Sequence, residues 1–152
     1  MNKFKNADDI FDFAIDREEV SYGLYMDLSK DVEKPGMRQL LQDIAAEEKG
    51  HKERLLKIKK EGLFVISDKE IKDMRLSDYL KGVEDPDPDL SYQDALLMAI
   101  NREKFSIYLY SYLSKITDIS KLKEIFNMIA HEEAKHKLSL ESEYDKQILT
   151  EN

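Results

Sequence analysis

Two copies of one pattern of acidic and imidazole side chains stand 85 residues apart in this chain. The pattern is a glutamate followed by a Glu-x-x-His pair, and its members are Glu18, Glu48 and His51 in the first copy and Glu103, Glu133 and His136 in the second. Every member recurs at the same interval, since 103 − 18, 133 − 48 and 136 − 51 all equal 85. A chain built in this way is predicted to fold as two similar halves that face each other.

The similarity between the halves extends into the flanking residues. The segment AIDRE at 14–18 corresponds to AINRE at 99–103, and IAAEEKGHK at 44–52 corresponds to IAHEEAKHK at 129–137. Self-similarity at one long period is typical of a duplicated supersecondary unit. We therefore expect the two units to be related by a pseudo-two-fold operation.

Composition favours a helical fold and narrows the classes of partner. The length of 152 residues suits one domain with a sizeable core. Charged residues make up 37% of the chain, which has only three prolines and five glycines, and this composition favours helices over a sheet. The net charge of −8 argues against nucleic acid or an anionic membrane surface as a partner. The chain has no cysteine, which excludes a disulfide framework, a thiolate zinc site and a protein-ligated iron–sulfur cluster.

The sequence predicts an all-α chain of four long helices, over residues 7–32, 35–61, 91–115 and 120–149. EKPG at 33–36 separates the first two, Gly62 is expected to cap the second, and Ser91 the third. Residues 1–152 are expected to form one domain, with a helix pair at 7–62, a crossover at 63–90 and a helix pair at 91–149. The crossover contains the helix-breaking DPDPD at 85–89 and two segments, SDKEIKDM and LSDYLKGV, that can form short helical turns.

Each predicted helix carries an apolar stripe that is interrupted near its middle by an acid or a histidine. The stripes are Phe11, Ala14, Glu18, Tyr22, Tyr25; Met37, Leu41, Ile44, Glu48, His51, Leu55, Ile58; Leu96, Ala99, Glu103, Ile107, Tyr110; and Leu122, Phe126, Ile129, Glu133, His136, Leu140. Steps of three and four residues keep one residue per turn on a single face. The interrupting residues are therefore expected to point into the core.

Four glutamates that meet in one core would repel one another unless they are protonated or neutralised. Two divalent cations would balance the four carboxylates. In each Glu-x-x-His pair the two side chains share a helix face and can reach the same ion. Oxygen and nitrogen ligands without sulfur suit iron, manganese or zinc better than calcium. The sequence therefore predicts a two-metal site held by all six residues.

The sequence also predicts positions and contacts for several residues near the predicted ligands. Tyr25 and Tyr110 lie seven residues beyond a ligand glutamate on the same face, where they can pack in the core and also hydrogen-bond a ligand carboxylate. His131 is off the ligand face and is expected to be a surface or outer group. The remaining charged neighbours are expected on the solvated side or in salt bridges: Arg17, Arg102, Glu47, Glu132, Lys52 and Lys137.

These motifs resemble the ferritin-like diiron-carboxylate proteins and, within them, the rubrerythrin family. The resemblance covers most of the chain and implies a ferritin-like four-helix up-down bundle with a long crossover between the second and third long helices. It implies two iron ions, with manganese or zinc as substitutes, and a homodimer. In this scheme the bridging ligands are Glu48 and Glu133, the terminal ones are Glu18 and Glu103, His51 and His136 each cap a metal, and Tyr25 and Tyr110 contact the ligands.

Two departures from the family pattern bear on function. Peroxide-reducing members carry an extra glutamate one turn after the third-helix ligand, where this chain has Ser106, and they carry a rubredoxin-like domain with paired cysteines. Electrons would therefore come from a separate protein, rubredoxin-like or similar, or from a small reductant. The resemblance implies an oxidoreductase that reduces peroxide or dioxygen, or oxidises ferrous iron.

Other functions remain compatible with the sequence. They are iron storage or hand-over without turnover, dimanganese catalase-like activity, and an interaction module. The duplication leaves open whether one chain builds the whole site or two chains exchange helix pairs. The N-terminal segment lacks the apolar run of a signal peptide, and no segment approaches a membrane span, so a cytoplasmic protein is expected.

Overall fold

The structure is a computed structural model that describes residues 4–80 and 89–151. Within these ranges the chain is almost entirely helical and contains no strand. The helices are α1 Ala7–Lys30, α2 Pro35–Glu61, α3 Asp68–Met74, α4 Leu76–Leu80, α5 Tyr92–Ile116 and α6 Ser120–Glu151. The four long helices α1, α2, α5 and α6 confirm the predicted set, and α3 and α4 lie in the crossover.

The helix boundaries follow local capping chemistry. The side chain of Asn6 accepts a hydrogen bond from the backbone N–H of Asp9 at the start of α1. Helix α1 ends at Lys30, two residues before the predicted end, and Pro35 occupies the first turn of α2, where its missing N–H costs nothing. Gly62 caps α2 in the left-handed conformation, with φ of 66°, as predicted.

The crossover is fixed to α5 by tyrosine hydroxyls. Tyr108 donates to the carbonyl of Met74 over 2.5 Å, and Tyr112 donates to the carbonyl of Glu70 over 2.9 Å. Both segments expected to form short helical turns do so where they are described. The end of the second segment, at 81–83, and the DPDP portion of the predicted break, at 85–88, lie outside the described residues. Ser91 then caps α5, as predicted, by accepting from a backbone N–H over 3.1 Å.

Two apolar clusters set the direction of the long helices. The first, here called the Phe11 cluster, contains residues from the start of α1 and α6 and from the end of α2 and α5. The second, here called the Leu41 cluster, contains residues from the end of α1, the start of α2 and α5, and the later part of α6. Helices α1 and α6 therefore run parallel to each other and antiparallel to α2 and α5. A chain that leaves α2 at the Phe11 cluster must travel the length of the bundle to begin α5, which explains the long crossover.

Burial confirms most of the predicted stripe positions. The α6 stripe is buried at every position from Leu122 to Leu140, but Tyr22 on α1 is 36% exposed, and Met37 on α2 and Ile107 on α5 are half-buried. Three residues beyond Glu18, Ser21 is the buried position instead. Leu24 and Leu28 are also buried on that side of α1, whereas a four-residue step from Glu18 turns Tyr22 in the opposite direction. None of the helices in the described part of the chain combines the length and apolar character that a membrane span needs.

Candidate metal centre

The six residues predicted as ligands converge in the interior between the Phe11 and Leu41 clusters. One chain brings all six together. All are buried, from Glu133 at 0% exposure to His136 at 5%. Each long helix contributes at its midpoint, because the apolar turns on either side of the acid or histidine pack into the two clusters.

The six side chains form two overlapping groups, each with ligand atoms that all lie within 4.8 Å of one another. The first group, here called the first metal position, consists of Glu18, Glu48, His51 and Glu133; the second metal position consists of Glu48, Glu103, Glu133 and His136. Two acids belong to both groups, and each remaining acid and histidine belongs to one. Two groups that overlap in two acids could hold two cations side by side.

The inward nitrogen of each histidine lies among the carboxylate oxygens without forming a hydrogen bond. Nδ1 of His51 lies 3.5 Å from Oε2 of Glu18 and 3.4 Å from Oε1 of Glu133. Nδ1 of His136 lies 3.1 Å from Oε1 of Glu48, 3.2 Å from Oε1 of Glu133 and 3.7 Å from Oε2 of Glu103. Both imidazoles therefore direct Nδ1 toward the carboxylates.

The inward-facing atoms lack hydrogen-bond partners. Each of the six residues has at least one buried side-chain oxygen or nitrogen without such a partner: Glu18 Oε2, Glu48 Oε1, His51 Nδ1, Glu103 Oε2, both oxygens of Glu133, and His136 Nδ1. Buried polar atoms in folded proteins are nearly always satisfied, so a set of this size aimed at one point needs a ligand. Oxygen and imidazole donors fit iron, manganese or zinc, and the residues present fit a dinuclear metal site.

The imidazoles have strongly raised proton affinity without metal. Burial by itself would lower the pKa of His51, but the carboxylates of Glu18 and Glu133 outweigh it and raise that pKa to about 9. Burial would likewise lower the pKa of His136, and Glu103 with Glu133 raises it to about 11. Both rings are therefore protonated at neutral pH when no cation is bound.

The buried acids divide into protonated and ionised members. Burial and the charge of Glu133 raise the pKa of Glu103 to about 8, and the same two causes raise the pKa of Glu48 well above its usual range. For Glu133, burial acts to raise the pKa, but the imidazoles and the carboxyl of Glu48 hold it below the usual value. Protons thus neutralise the metal-free cluster where cations would do so in the loaded protein.

Two tyrosines connect the halves through the ligand carboxylates. The hydroxyl of Tyr25 donates to Oε1 of Glu103 over 2.5 Å, and that of Tyr110 donates to Oε1 of Glu18 over 2.6 Å. Burial and the neighbouring glutamates raise the pKa of both phenols well above the usual value, so both remain protonated donors. The expected hydrogen bonds are present, and each tyrosine reaches the glutamate of the other half.

The sequence predicts solvated side chains for Glu47 and Glu132, but each contacts a histidine of the cluster. Oε2 of Glu132 lies 2.5 Å from Nε2 of His51, and Glu47 makes the equivalent contact with Nε2 of His136. Each acid thereby holds the outer nitrogen of the opposite imidazole and leaves Nδ1 facing the cluster. The signal was present in the sequence, because both acids recur at the 85-residue interval and immediately precede the paired glutamate.

Arg102 is buried, whereas the sequence predicts a surface charge or a salt-bridge partner. Its side chain is 4% exposed, and its guanidinium lies 3.3–3.4 Å from Oγ of Ser21 and 3.4 Å from the carbonyl of Arg17. The small serine on α1 leaves space for the guanidinium. Arg17 itself is half-buried, with its guanidinium 5.9 Å from the centre of the Phe13 ring.

The other charged neighbours of the cluster lie toward solvent, as the sequence predicts. His131 is exposed on α6. Lys52 forms an ion pair with Glu19 over 3.3 Å, and Lys137 forms one with Glu141 over 3.1 Å. These pairs lie toward solvent, where such contacts stabilise a protein little.

Comparison with known proteins agrees with the geometry. A protein-family model described as Rubrerythrin matches residues 3–72 and 94–152 of the chain. The matched ranges include all six residues of the cluster and both of the tyrosines that contact it. No curated protein and no solved structure matches the chain.

Proposed function

The chain belongs to the rubrerythrin family, and from this premise we propose that its buried cluster is a diiron centre that reduces hydrogen peroxide or dioxygen. The observation that carries the proposal is the overlap of two four-residue groups that share Glu48 and Glu133. A single mononuclear site would not need two acids common to two sets of ligands. Unpaired oxygens and nitrogens of all six residues face the shared centre.

Each residue of the cluster has a distinct role in this proposal. Glu48 and Glu133 would hold both cations, because both belong to both groups. Glu18 and Glu103 would each hold one cation, and each is oriented by the tyrosine of the other half. His51 and His136 would bind through Nδ1, because an acid holds Nε2 of each ring.

Two ferrous ions would supply the two electrons that, with two protons, reduce hydrogen peroxide to two molecules of water. The protein's part is to hold the carboxylates at fixed positions in a site from which bulk water is excluded. Tyr25 and Tyr110 keep their hydroxyl protons, so they fix the terminal carboxylates without competing for the cations. The chain has no cysteine with which to carry an electron-transfer centre of its own, so we propose an external donor.

An anaerobic titration tests this function. Metal-free protein receives two equivalents of ferrous iron per chain, followed by measured additions of hydrogen peroxide, and the visible spectrum is recorded after each addition. A reductant is then supplied and the peroxide additions are repeated. We expect peroxide consumption to continue for many cycles in the presence of reductant, with iron retained by the protein.

The alternatives predict different outcomes in the same titration. A storage or hand-over protein would oxidise its iron once and then stop, and a dimanganese catalase would consume peroxide without reductant after loading with manganese. Failure to retain two metal ions per chain would contradict the dinuclear site itself. Metal analysis of protein purified from its native host identifies the resident ions.

A further inference from the structure

A small pocket opens at the surface directly above one of the proposed ligands. It has a volume of about 180 Å³ and is lined by Glu18, Glu19, Tyr22, Lys49 and Lys52, on the outer side of the α1–α2 pair. Glu18 is only 2% exposed, so this pocket is where a terminal ligand of the first metal position meets the outside. The space admits a few water-sized molecules but no large substrate.

The pocket combines an ion pair with one residue of the cluster. Nζ of Lys52 lies 3.3 Å from Oε1 of Glu19. Glu18 also lines the pocket, and its buried Oε2, which has no hydrogen-bond partner, lies 3.5 Å from Nδ1 of His51. The pocket therefore adjoins a residue of the first metal position.

The second half of the chain has different side chains at the positions that correspond to this lining. Adding 85 to each residue number gives Lys104 for Glu19, Ile107 for Tyr22, Ala134 for Lys49 and Lys137 for Lys52. The ligands are duplicated and each half has two lysines at these positions, but the phenol and the acid at the mouth occur only in the first half. The two metal positions thus have the same ligands beneath different surfaces.

We propose that this pocket is the entrance through which small exogenous ligands, such as an anion or a peroxide molecule, reach the metal position formed by Glu18 and His51. Tyr22 limits the width of the entrance, and Lys49 favours small anions and hydrogen-bond acceptors, while Lys52 is paired with Glu19. The first metal position is therefore the one that receives the ligand, despite the symmetry of the cluster. This inference rests on the function proposed above.

The test uses azide as a probe of the iron-loaded, oxidised protein, because azide bound to ferric iron absorbs visible light. Stopped-flow mixing gives the association rate for wild type, for Tyr22→Trp and for the matched control Ile107→Trp. Tyr22→Trp should bind azide at least about tenfold more slowly, which corresponds to a barrier higher by about 1.4 kcal/mol. The control, at the equivalent position of the other half, should stay close to wild type.

A second pair of variants tests the charge of the entrance without adding bulk. Lys49→Glu should slow azide association at low ionic strength, and the difference should shrink as salt is added. Ala134→Glu places the same charge at the equivalent position and should change the rate little. Lys49 is exposed on α2, so its replacement leaves the core intact even if Tyr22→Trp folds poorly.

The outcomes separate this inference from the proposed function. If wild type fails to hold two iron ions per chain, both proposals are wrong. If wild type holds the iron and turns over peroxide, but Tyr22→Trp and Lys49→Glu bind azide as fast as wild type, only the entrance is wrong. Equal slowing by Ile107→Trp would also overturn it, since access would then not favour the first half.

Discussion

The hydroxyl of Tyr25, on α1, donates a hydrogen bond over 2.5 Å to Oε1 of Glu103, on α5, which lies 78 positions further along the chain. The reciprocal bond runs from Tyr110 to Glu18. Neither half of the duplicated chain orients its own terminal glutamate. The halves are therefore joined at the ligands themselves, so the geometry of the cluster depends on how the two helix pairs pack.

The tyrosine bonds should contribute both to stability and to metal affinity. Tyr25→Phe removes the donor and leaves a buried oxygen of Glu103 unpaired, which should lower the free energy of unfolding of the metal-free protein by about 1–3 kcal/mol. Urea unfolding measures this change, and titration with Co²⁺ measures the accompanying loss of affinity. Tyr110→Phe should act similarly on the other half.

Tyr112→Phe is the matched control, because its hydroxyl also makes one hydrogen bond, to a carbonyl of the crossover. It should lower stability but leave Co²⁺ affinity unchanged. Equal loss of metal affinity in Tyr25→Phe and Tyr112→Phe would show that the effect is general destabilisation rather than orientation of Glu103.

Removal of Glu133 should prevent the binding of a pair of metals. Glu133 is fully buried, belongs to both groups, and has two oxygens without hydrogen-bond partners. Glu133→Ala should therefore lose the stoichiometry of two ions per chain, measured by elemental analysis after equilibrium dialysis. His131→Ala, an exposed change on the same helix, should retain both ions. A Glu133→Ala variant that held two ions with native affinity would contradict the proposed ligand set.

The acids that hold the outer imidazole nitrogens should tune affinity without being ligands. Glu132→Gln weakens the contact with Nε2 of His51, so affinity at the first metal position should fall about 10- to 100-fold. Glu47→Gln should have the same effect at the second position, through His136. Isothermal titration with Co²⁺ resolves the two binding steps.

Glu141→Gln provides the control for these substitutions. Glu141 lies toward the surface, with Oε1 3.1 Å from Nζ of Lys137. Its replacement should leave both binding steps unchanged. Normal affinity in Glu132→Gln would mean that the acid does not orient the imidazole.

The metal-free protein should become less stable as pH rises. The pKa values of His51 and His136 are raised in the folded state to about 9 and about 11, from an ordinary value of 6.5. Their contribution is fully present below pH 6.5 and is lost as pH rises through those two values. The pKa of Glu103 is raised from an ordinary 4.5 to about 8, so the folded state holds this proton more tightly than the unfolded state does. The stability that Glu103 contributes is therefore also lost as pH rises from 4.5 through about 8.

Urea unfolding in the presence of a chelator, at a series of pH values between about 6 and 10, measures this trend. Saturating Zn²⁺ should oppose it, because cations bind the deprotonated imidazoles and carboxylates more tightly as pH rises. If the stability of the metal-free protein stayed constant or increased over this range, the cluster would not hold the protons assigned to it.

The boundaries of the long helices and the residues of the buried cluster could be predicted because both depend on short-range chemistry. Pro35, Gly62 and Ser91 fix helix ends through backbone geometry and capping, which involve only neighbouring residues. The mixed three- and four-residue spacing fixes which side chains share a face. The interval between Glu18 and Glu103, together with its repeats, then identifies the six residues that must meet.

Contacts between helices could not be read in this way. Glu132 points away from the stripe of its own helix, and only the packing of α6 against α2 brings it to His51. Arg102 is buried because the facing turn of α1 carries the small side chain of Ser21.

The sequence by itself determined the helices and the residues of the cluster, because the periodicity of a helix and the cost of burying an acid act locally along the chain. The tertiary structure alone decided which tyrosine serves which glutamate, which acid holds which imidazole, and where the cluster approaches the surface beside Tyr22. Those relationships depend on the relative position and rotation of separate helices, which residue spacing within one helix does not specify.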